Sequence, residues 1–223
     1  MRHTKTVIWE TYMEKRNKEG LTEAQFLAQY DENKYRHPSV TTDMATFTIV
    51  GDKLCILMIK RANHPFIGGY ALPGGFLEME ENLERCAARE LFEETGVTDT
   101  YFYQVGAYGD VNRDPRTRVI SVLYTAFIEN INAKAGDDAA DAVLFEVNAE
   151  RLPNDVDSDA IYKLTLTGET RLEAVLKLNT QGLCDKTECI SSDIASDHGA
   201  MIFDALRLLS AKKQAIAEKC PEW

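Results

Sequence analysis

The most informative part of the chain runs from Gly75 to Val97 and reads GFLEMEENLERCAARELFEETGV. It begins as a glycine loop and continues as a run of helix-forming residues that Gly96 closes. On a helix of 3.6 residues per turn, Glu90, Glu93 and Glu94 share one face because they stand at positions i, i+3 and i+4. Like charges at this spacing repel one another by about 0.2–0.5 kcal/mol per pair. We therefore expect a positive group on that face.

A divalent cation is the positive group that suits this face best. Arg89 can reach Glu93 at i+4, but one guanidinium group cannot neutralise three carboxylates. Carboxylates without His or Cys favour hard ions, so the pattern predicts Mg²⁺ or Mn²⁺ rather than Zn²⁺. Gly74 and Gly75 lack Cβ atoms, which allows the backbone to come close to a metal ion or a phosphate. The opposite face of the helix is predicted to pack on a sheet through Ala87, Ala88, Leu91 and Phe92.

Strand-like and helical segments surround this motif. Helices are predicted at 4–18, 22–30, 82–95 and 197–213. Strands are predicted at 40–50, 54–60, 70–72, 101–108, 119–128, 142–147, 163–167 and 171–178. The first two strands are separated by Gly51-Asp52 and should form a hairpin. A mixed sheet flanked by helices, an α/β or α+β fold, is the simplest assembly of these elements.

The composition excludes several functional classes. The chain has 223 residues, of which 44% are hydrophobic, so it can bury a substantial core. Its formal net charge of −11 argues against a surface that binds nucleic acid or anionic lipid. No apolar run approaches the length of a membrane span, and no signal peptide follows Met1. We therefore expect a soluble cytoplasmic protein without a nucleic-acid or membrane partner.

The acidic segment matches a longer pattern, G-x5-E-x7-R-E-U-x-E-E-x-G-U, in which U is aliphatic. Every position agrees: Gly75, Glu81, Arg89, Glu90, Leu91, Glu93, Glu94, Gly96 and Val97. The seven fixed positions would match by chance on the order of once in 10⁸ windows. The segment resembles the Nudix hydrolase family. This resemblance implies an α/β/α sandwich with a mixed sheet, and Mg²⁺-dependent hydrolysis of a nucleoside diphosphate linked to another group.

The resemblance also implies a role for each matched residue. Glu90 and Glu94 would be the main metal ligands, with Glu94 counted among the catalytic residues. Glu93 would be a further ligand or a catalytic carboxylate that orients water. Arg89 would position these glutamates, and the carbonyl of Gly74 would be another ligand.

Three matched residues are expected to maintain the motif itself. Glu81 resembles the acid that steadies the loop, and Gly75 and Gly96 stand where the family has its loop and helix-end glycines. Gly75 is also a candidate for contact with the substrate.

Looser similarity extends from about residue 35 to 146 and again near residues 197–198. It resembles the branch that contains ADP-ribose pyrophosphatases and related ADP-ribose-sensing regulators. ADP-ribose or a related nucleotide sugar is therefore the expected substrate. Two alternatives remain: a non-catalytic ADP-ribose-sensing transcription regulator and a pyrophosphatase for oxidised nucleoside triphosphates. A DNA-binding module should be basic, whereas residues 153–223 hold 8 Lys and Arg against 12 Asp and Glu.

Arginines outside the motif are candidates for binding the diphosphate. Arg61 ends a predicted strand, and Arg118 closes a loop that begins at Asp110; a guanidinium group can hold phosphate through two hydrogen bonds. Arg113 and Arg116 are weaker candidates in the same loop.

Several residues outside the motif have alternative roles in this interpretation. A further carboxylate as base or metal ligand could come from Asp110, Asp114, Glu129 or Glu146, and the sequence does not choose among them. His198 is expected to have a structural role at the start of a helix. Tyr70 and Phe66 are expected to pack in the core rather than to stack on a base.

The predicted domain organisation has three parts. Residues 1–38 form an N-terminal helical extension, residues 39–213 form the Nudix domain, and residues 214–223 form a C-terminal tail. Within the domain, about 155–192 would be an insertion that contains a hairpin. The family resemblance also favours a homodimer.

Overall fold

The structure is a computed structural model that describes residues 15–98, 100–129, 131, 142–153, 159–181 and 185–212. The chain divides into two units, residues 1–37 and 38–223. Most of the helix predicted at 4–18 and the predicted tail lie outside the described residues.

The described part of the N-terminal unit, residues 15–37, contains two short helical segments. Helix α1 spans Glu23–Ala28, and a 3-10 helix spans Glu32–Lys34. Thr22 caps α1 through a capping box with Gln25, as the sequence predicts. Residues 15–18 are not helical, contrary to the prediction, because the side chain of Asn17 accepts hydrogen bonds from later backbone N–H groups and forms a turn.

The second unit is built on a ten-stranded sheet. Its strands are β1 Ser39–Val50, β2 Lys53–Lys60, β3 Tyr70–Ala71, β4 Gly74–Phe76, β5 Phe102–Tyr108, β6 Val119–Phe127, β7 Ala142–Leu152, β8 Asp159–Thr167, β9 Arg171–Asn179 and β10 Lys186–Ser192. The order across the sheet is β10-β9-β8-β7-β2-β1-β6-β5, with β3 beside β2 and β4 beside β1. Strands β1 and β6 are parallel, and the other described pairs are antiparallel.

Two helices cover opposite faces of this sheet, as alternation along the strands requires. Met44 of β1 packs in one cluster with Leu91 of helix α2, which spans Leu83–Thr95. Phe47, on the other face of β1, packs in a second cluster with Met201 of helix α3, which spans His198–Ala211. The predicted α/β/α sandwich with a mixed sheet is confirmed.

Helix α2 has the ends that the sequence predicts. The side chain of Asn82 caps its first turn, and Gly96 ends it in the left-handed conformation with φ 72°. Its buried positions lie at Cys86, Ala87, Leu91 and Thr95. The prediction that Ala88 and Phe92 also face the sheet is wrong, because each stands one position past the buried stripe and therefore points to solvent.

The predicted C-terminal hairpin is present as β8 and β9, but it is longer than expected and β10 follows it. These strands continue the main sheet, and Leu164, Leu166 and Leu176 are fully buried in the cluster that contains α3. The polar composition of β10 gave no strand signal in the sequence.

Helix α3 also joins the two outer strands of the sheet. Asp204 accepts hydrogen bonds from the hydroxyl of Tyr108 on β5, at 2.9 Å, and from the hydroxyl of Thr187 on β10, at 2.5 Å. One carboxylate therefore connects both edges.

Replacing Leu91 by Ala should lower the free energy of unfolding by about 2–5 kcal/mol, because Leu91 is 1% exposed and its loss leaves a cavity between α2 and the sheet. Phe92→Ala is the matched control on the same helix: Phe92 is 54% exposed, and its loss should cost less than about 1 kcal/mol. Urea unfolding of both variants measures the difference. Equal losses would contradict this packing.

Candidate functional site

The acidic face of α2 lies directly against the glycine loop. An Oε2 atom of Glu94 accepts a hydrogen bond from the backbone N–H of Gly74 at 2.8 Å. The carboxylate of Glu90 lies so close to Gly75 that a Cβ atom there would stand 2.2–2.6 Å from it. Any larger residue at position 75 would displace this carboxylate, so the glycine lets the loop and the carboxylate approach each other.

Arg89 holds the other acidic side chains of the motif in place. It donates to both carboxylate oxygens of Glu81, at 2.6 and 3.1 Å. Its Nη1 atom donates to Glu90 at 2.7 Å and to Glu93 at 3.1 Å. Its Nη2 atom also donates to the carbonyl of Phe76 at 3.2 Å. The side chain of Glu81 is 4% exposed and that of Glu93 is 54% exposed, so the arginine connects the buried and the open ends of the cluster.

The pKa values of the acids in this cluster are shifted in different directions. The hydrogen bonds from Arg89 lower the pKa of Glu81 to about 2. Burial raises the pKa of Glu90, although Arg89 opposes the effect. Burial also raises the pKa of Glu94 to about 7, against the opposing hydrogen bond from Gly74. The carboxylates of Glu90 and Glu94 are thus partly buried, and the positive charge beside them does not offset the cost of ionising them.

This donor set fits a hard divalent cation. It consists of carboxylate oxygens and the nearby backbone of the glycine loop, without Cys or His, which is the chemistry that Mg²⁺ prefers. Among the described residues, no three acidic, His or Cys side chains already surround a common point. Arg89 instead holds Glu90 and Glu93 on the same nitrogen.

A cavity of about 240 Å³ opens beside Glu94. Its wall contains the glycine loop, three arginines, two aspartates, a histidine and two aromatic rings. These residues are Gly74, Gly75, Arg61, Arg113, Arg116, Asp43, Asp114, His198, Phe66 and Phe76.

The three arginines of this wall have different partners. Arg61 donates from Nε to the carbonyl of Pro65 at 2.7 Å, and no carboxylate of the described residues lies within 4 Å of its side-chain nitrogens. Arg116 forms two hydrogen bonds with Asp114, at 3.1 and 2.8 Å, and lies over the ring of Phe76 at 5.3 Å. Arg113 is 6% exposed and is engaged elsewhere in the wall.

The predicted phosphate-binding residues are therefore only partly brought together. Arg61 and Gly75 line the cavity with Glu94. Arg118 does not line it and donates to the carbonyl of Asp110 at 3.1 Å. The structure places Arg116, which the sequence ranked lower, in the wall instead.

Of the four carboxylates proposed outside the motif, only Asp114 lines this cavity. Glu146 and Asp110 form ion pairs with lysines elsewhere, and the backbone carbonyl of Glu129 accepts a hydrogen bond from Thr48. Tyr70 is buried against the core, as predicted, at 4.9 Å from the ring of Phe145.

The prediction for Phe66 is wrong, because this ring is partly exposed at the cavity. It lies in the loop after β2, where its backbone adopts φ 63°, and its ring lines the cavity instead of packing in the core.

Asp43 and His198 are the site residues that the sequence reasoning did not single out for chemistry. Asp43 is buried and accepts a hydrogen bond from the hydroxyl of Ser121. Nδ1 of His198 accepts from the backbone N–H of Leu72 at 2.9 Å, and its Nε2 lies 3.9 Å from Asp43 Oδ1. The expected structural role of His198 agrees with these contacts. A signal for Asp43 did exist: it is the one charged residue of β1.

Comparisons with known proteins give a consistent family. The family model for the NUDIX domain matches residues 41–164. An ADPR-responsive transcriptional repressor, NtrR, from Acinetobacter baylyi is 46% identical over 109 residues, which are 48% of this chain and 44% of the repressor. An ADP-ribose pyrophosphatase from Methanocaldococcus jannaschii is 42% identical over 121 residues, 53% of this chain and 69% of that enzyme. The match to the repressor thus spans less than half of its length.

Solved structures agree with the sequence matches. A MutT/nudix family protein from Enterococcus faecalis superposes with a TM-score of 0.63 and 30% identity, over 86% of this chain and 70% of that one. The NUDIX domain of Shewanella oneidensis NrtR, solved with ADP-ribose, gives a TM-score of 0.58 and 25% identity, over 85% of this chain and 99% of that one. With its complete acidic motif, its fold and these matches, the chain belongs to the Nudix family.

Proposed function

We propose that the chain is a Mg²⁺-dependent hydrolase that cleaves the diphosphate of a nucleoside diphosphate derivative, with ADP-ribose as the preferred substrate. The observation that carries this proposal is the position of Glu90 and Glu94. Both carboxylates are partly withdrawn from water, and Glu94 lines a cavity that also presents the cationic side chains of Arg61 and Arg116. A metal ion and a diphosphate complement the two kinds of charge.

The proposed metal ligands are Glu90, Glu94, Glu93 and the carbonyl of Gly74. Mg²⁺ or Mn²⁺, when bound, would neutralise phosphoryl oxygens and lower the pKa of a bound water. Arg89 positions two of these acids through its hydrogen bonds to Glu90 and Glu93.

The chain's other residues would orient the substrate. Arg61 lines the cavity together with Glu94, and its positive charge partly opposes the rise that burial causes in the pKa of this carboxyl group. It would bind a phosphate of the substrate there. Arg116 would exchange its bonds with Asp114 for bonds to the substrate. Gly75 offers backbone without a side chain at the cavity wall. The role of Arg118 in binding stays a prediction.

ADP-ribose is the substrate that the relatives favour. One of them is named as an ADP-ribose pyrophosphatase, and a structurally similar NUDIX domain was solved with ADP-ribose. Hydrolysis of its diphosphate would give AMP and ribose 5-phosphate. A pyrophosphatase for oxidised nucleoside triphosphates would share the same acidic motif, so a panel of substrates is needed to separate the two activities.

A second candidate function is an ADP-ribose sensor. The observation in its favour is the 46% identity to a protein named as an ADPR-responsive repressor. The acidic composition of residues 153–223 favours the enzyme, because a DNA-binding surface should be basic. The two candidates share ADP-ribose binding and differ in turnover. The predicted cytoplasmic location, homodimer and lack of a nucleic-acid partner stay predictions.

Glu94→Gln should lower kcat for Mg²⁺-dependent ADP-ribose hydrolysis by at least about 100-fold, because the neutral amide removes a metal ligand and its charge. The fold should be retained, since the amide oxygen can still accept from Gly74. Glu84→Gln is the matched control: it makes the same change on the exposed face of α2 and should leave kcat unchanged. Release of AMP measures both variants.

Comparison of ADP-ribose, sugar nucleotides and oxidised dGTP by kcat/KM gives the substrate class in the same assay. Tight binding of ADP-ribose by the wild type without AMP release would favour the sensor. Full activity of the Glu94 variant would contradict the proposed metal site.

Mg²⁺ affinity should depend on pH because a metal ion must displace the proton from Glu94. In the metal-free protein this carboxyl group has a pKa of about 7, so it is mostly protonated at pH 6 and mostly ionised at pH 8. The Kd for Mg²⁺ should therefore be about tenfold higher at pH 6 than at pH 8. Isothermal titration calorimetry in two buffers of different ionisation enthalpy measures the Kd and the protons released. An equal Kd at both pH values would contradict this prediction.

A further inference from the structure

Three consecutive residues at the start of α3 each bond to a loop that borders the cavity. We refer to Ser196, Asp197 and His198 as the 196–198 node. The glycine loop comprises residues 72–76, which include the short strand β4, and carries the two glycines beside the acids. The other, residues 110–118, connects β5 to β6 and is called the arginine loop.

Within the node, His198 is the residue that binds the glycine loop. Its Nδ1 accepts from the N–H of Leu72 at 2.9 Å, and Leu72 is almost completely buried. Neighbouring bonds continue along the same backbone: Pro73 accepts from the N–H of Met44 at 2.8 Å, and Gly74 donates to Glu94 at 2.8 Å. Without an acceptor at residue 198, the N–H of Leu72 would be a buried donor without this partner.

The direction of this hydrogen bond fixes the protonation of the ring. A backbone N–H can only donate, so Nδ1 must be the unprotonated nitrogen and the proton lies on Nε2. Nε2 faces Asp43, whose other oxygen is held by the hydroxyl of Ser121. Burial lowers the pKa of His198, which favours the same neutral form. The ring therefore has one defined orientation between the glycine loop and β1.

The other two residues of the node, Ser196 and Asp197, bind the arginine loop. The carboxylate of Asp197 accepts two hydrogen bonds from the guanidinium group of Arg113, at 2.8 and 2.7 Å. The hydroxyl of Ser196 donates to the backbone carbonyl of the same arginine at 2.8 Å. Both ends of Arg113 are thus fixed, only three residues before Arg116 in the cavity wall.

We propose that the 196–198 node positions the two halves of the site separately. His198 sets the glycine loop, and with it the proposed metal ligands, whereas Asp197 and Ser196 set the arginine loop, and with it the grip on the substrate. This inference rests on the proposed function. The three residues are positioning residues, because their bonds go to the loops and to other side chains of the site.

If the two loops are positioned separately, substitutions of His198 and Asp197 should change different kinetic parameters. His198→Leu removes the acceptor and should lower kcat and Mg²⁺ affinity by about tenfold or more, with a smaller change in KM for ADP-ribose. His198→Asn places an amide oxygen near the position of Nδ1 and should restore most of the loss. Asp197→Asn should raise KM by about tenfold, because a charged hydrogen bond is lost, and should leave the Kd for Mg²⁺ unchanged.

The experiment measures kcat, KM and the Kd for Mg²⁺ for these three variants of the full chain. Asp52→Asn, an exposed change in the turn between β1 and β2, is the control for the loss of one negative charge. Thermal unfolding and circular dichroism show which variants are folded. If His198→Leu is not, amide chemical shifts provide the contrast: His198→Asn should shift Leu72 and Gly74, and Asp197→Asn should shift Arg116. The proposal would be overturned if His198→Leu and Asp197→Asn each impaired both Mg²⁺ binding and KM for ADP-ribose. It would also be overturned if His198→Asn were no more active than His198→Leu.

A failure of the proposed hydrolysis can be distinguished from a failure of this inference. If the wild type binds ADP-ribose without cleaving it, the Kd values for Mg²⁺ and ADP-ribose take the place of kcat and KM. If it binds neither, the proposed function fails, and amide chemical shifts decide the inference. Leu72 and Gly74 should then shift in the His198 variants and Arg116 in the Asp197 variant, and shifts of both loops in both would overturn it.

Discussion

The site depends on the close approach of the glycine loop to the acidic face of α2. Gly75 lies against the carboxylate of Glu90, and the N–H of Gly74 binds Glu94, so the glycine backbone covers part of both acids. Their burial raises their pKa values and makes them costly to ionise. A cation that relieves this cost would draw the carboxylates toward a common point, in place of the hydrogen bonds by which Arg89 holds Glu90 and Glu93. Local packing and the proposed chemistry are therefore two results of the same contact.

Much of this arrangement could be predicted from the sequence because its signals are local. The spacing of the glutamates and the glycine at residue 96 act within one helix, and both were found as predicted. The hairpin of β1 and β2 is equally local. Strand β10 was missed because its polar residues form a strand only by pairing with β9, and that pairing depends on the rest of the sheet.

The remaining site residues come from distant parts of the chain, where spacing in the sequence carries no information. His198 meets Leu72 across 126 residues, and Arg113 meets Asp197 across 84. Arg116 lines the cavity and Arg118 does not, although both lie in one loop, because the backbone path of that loop decides which side chain faces inward. Only Asp43 offered a usable clue, as a carboxylate within a strand that is otherwise uncharged.

Helix α3 contributes at its first turn and near its middle. Its first residues reach the cavity, while Asp204, farther along, binds side chains of β5 and β10 at opposite edges of the sheet. Here one helix packs on both outer strands, and its Asp204 binds one side chain of each. The element that orders the site therefore also limits how far the two outer strands can separate.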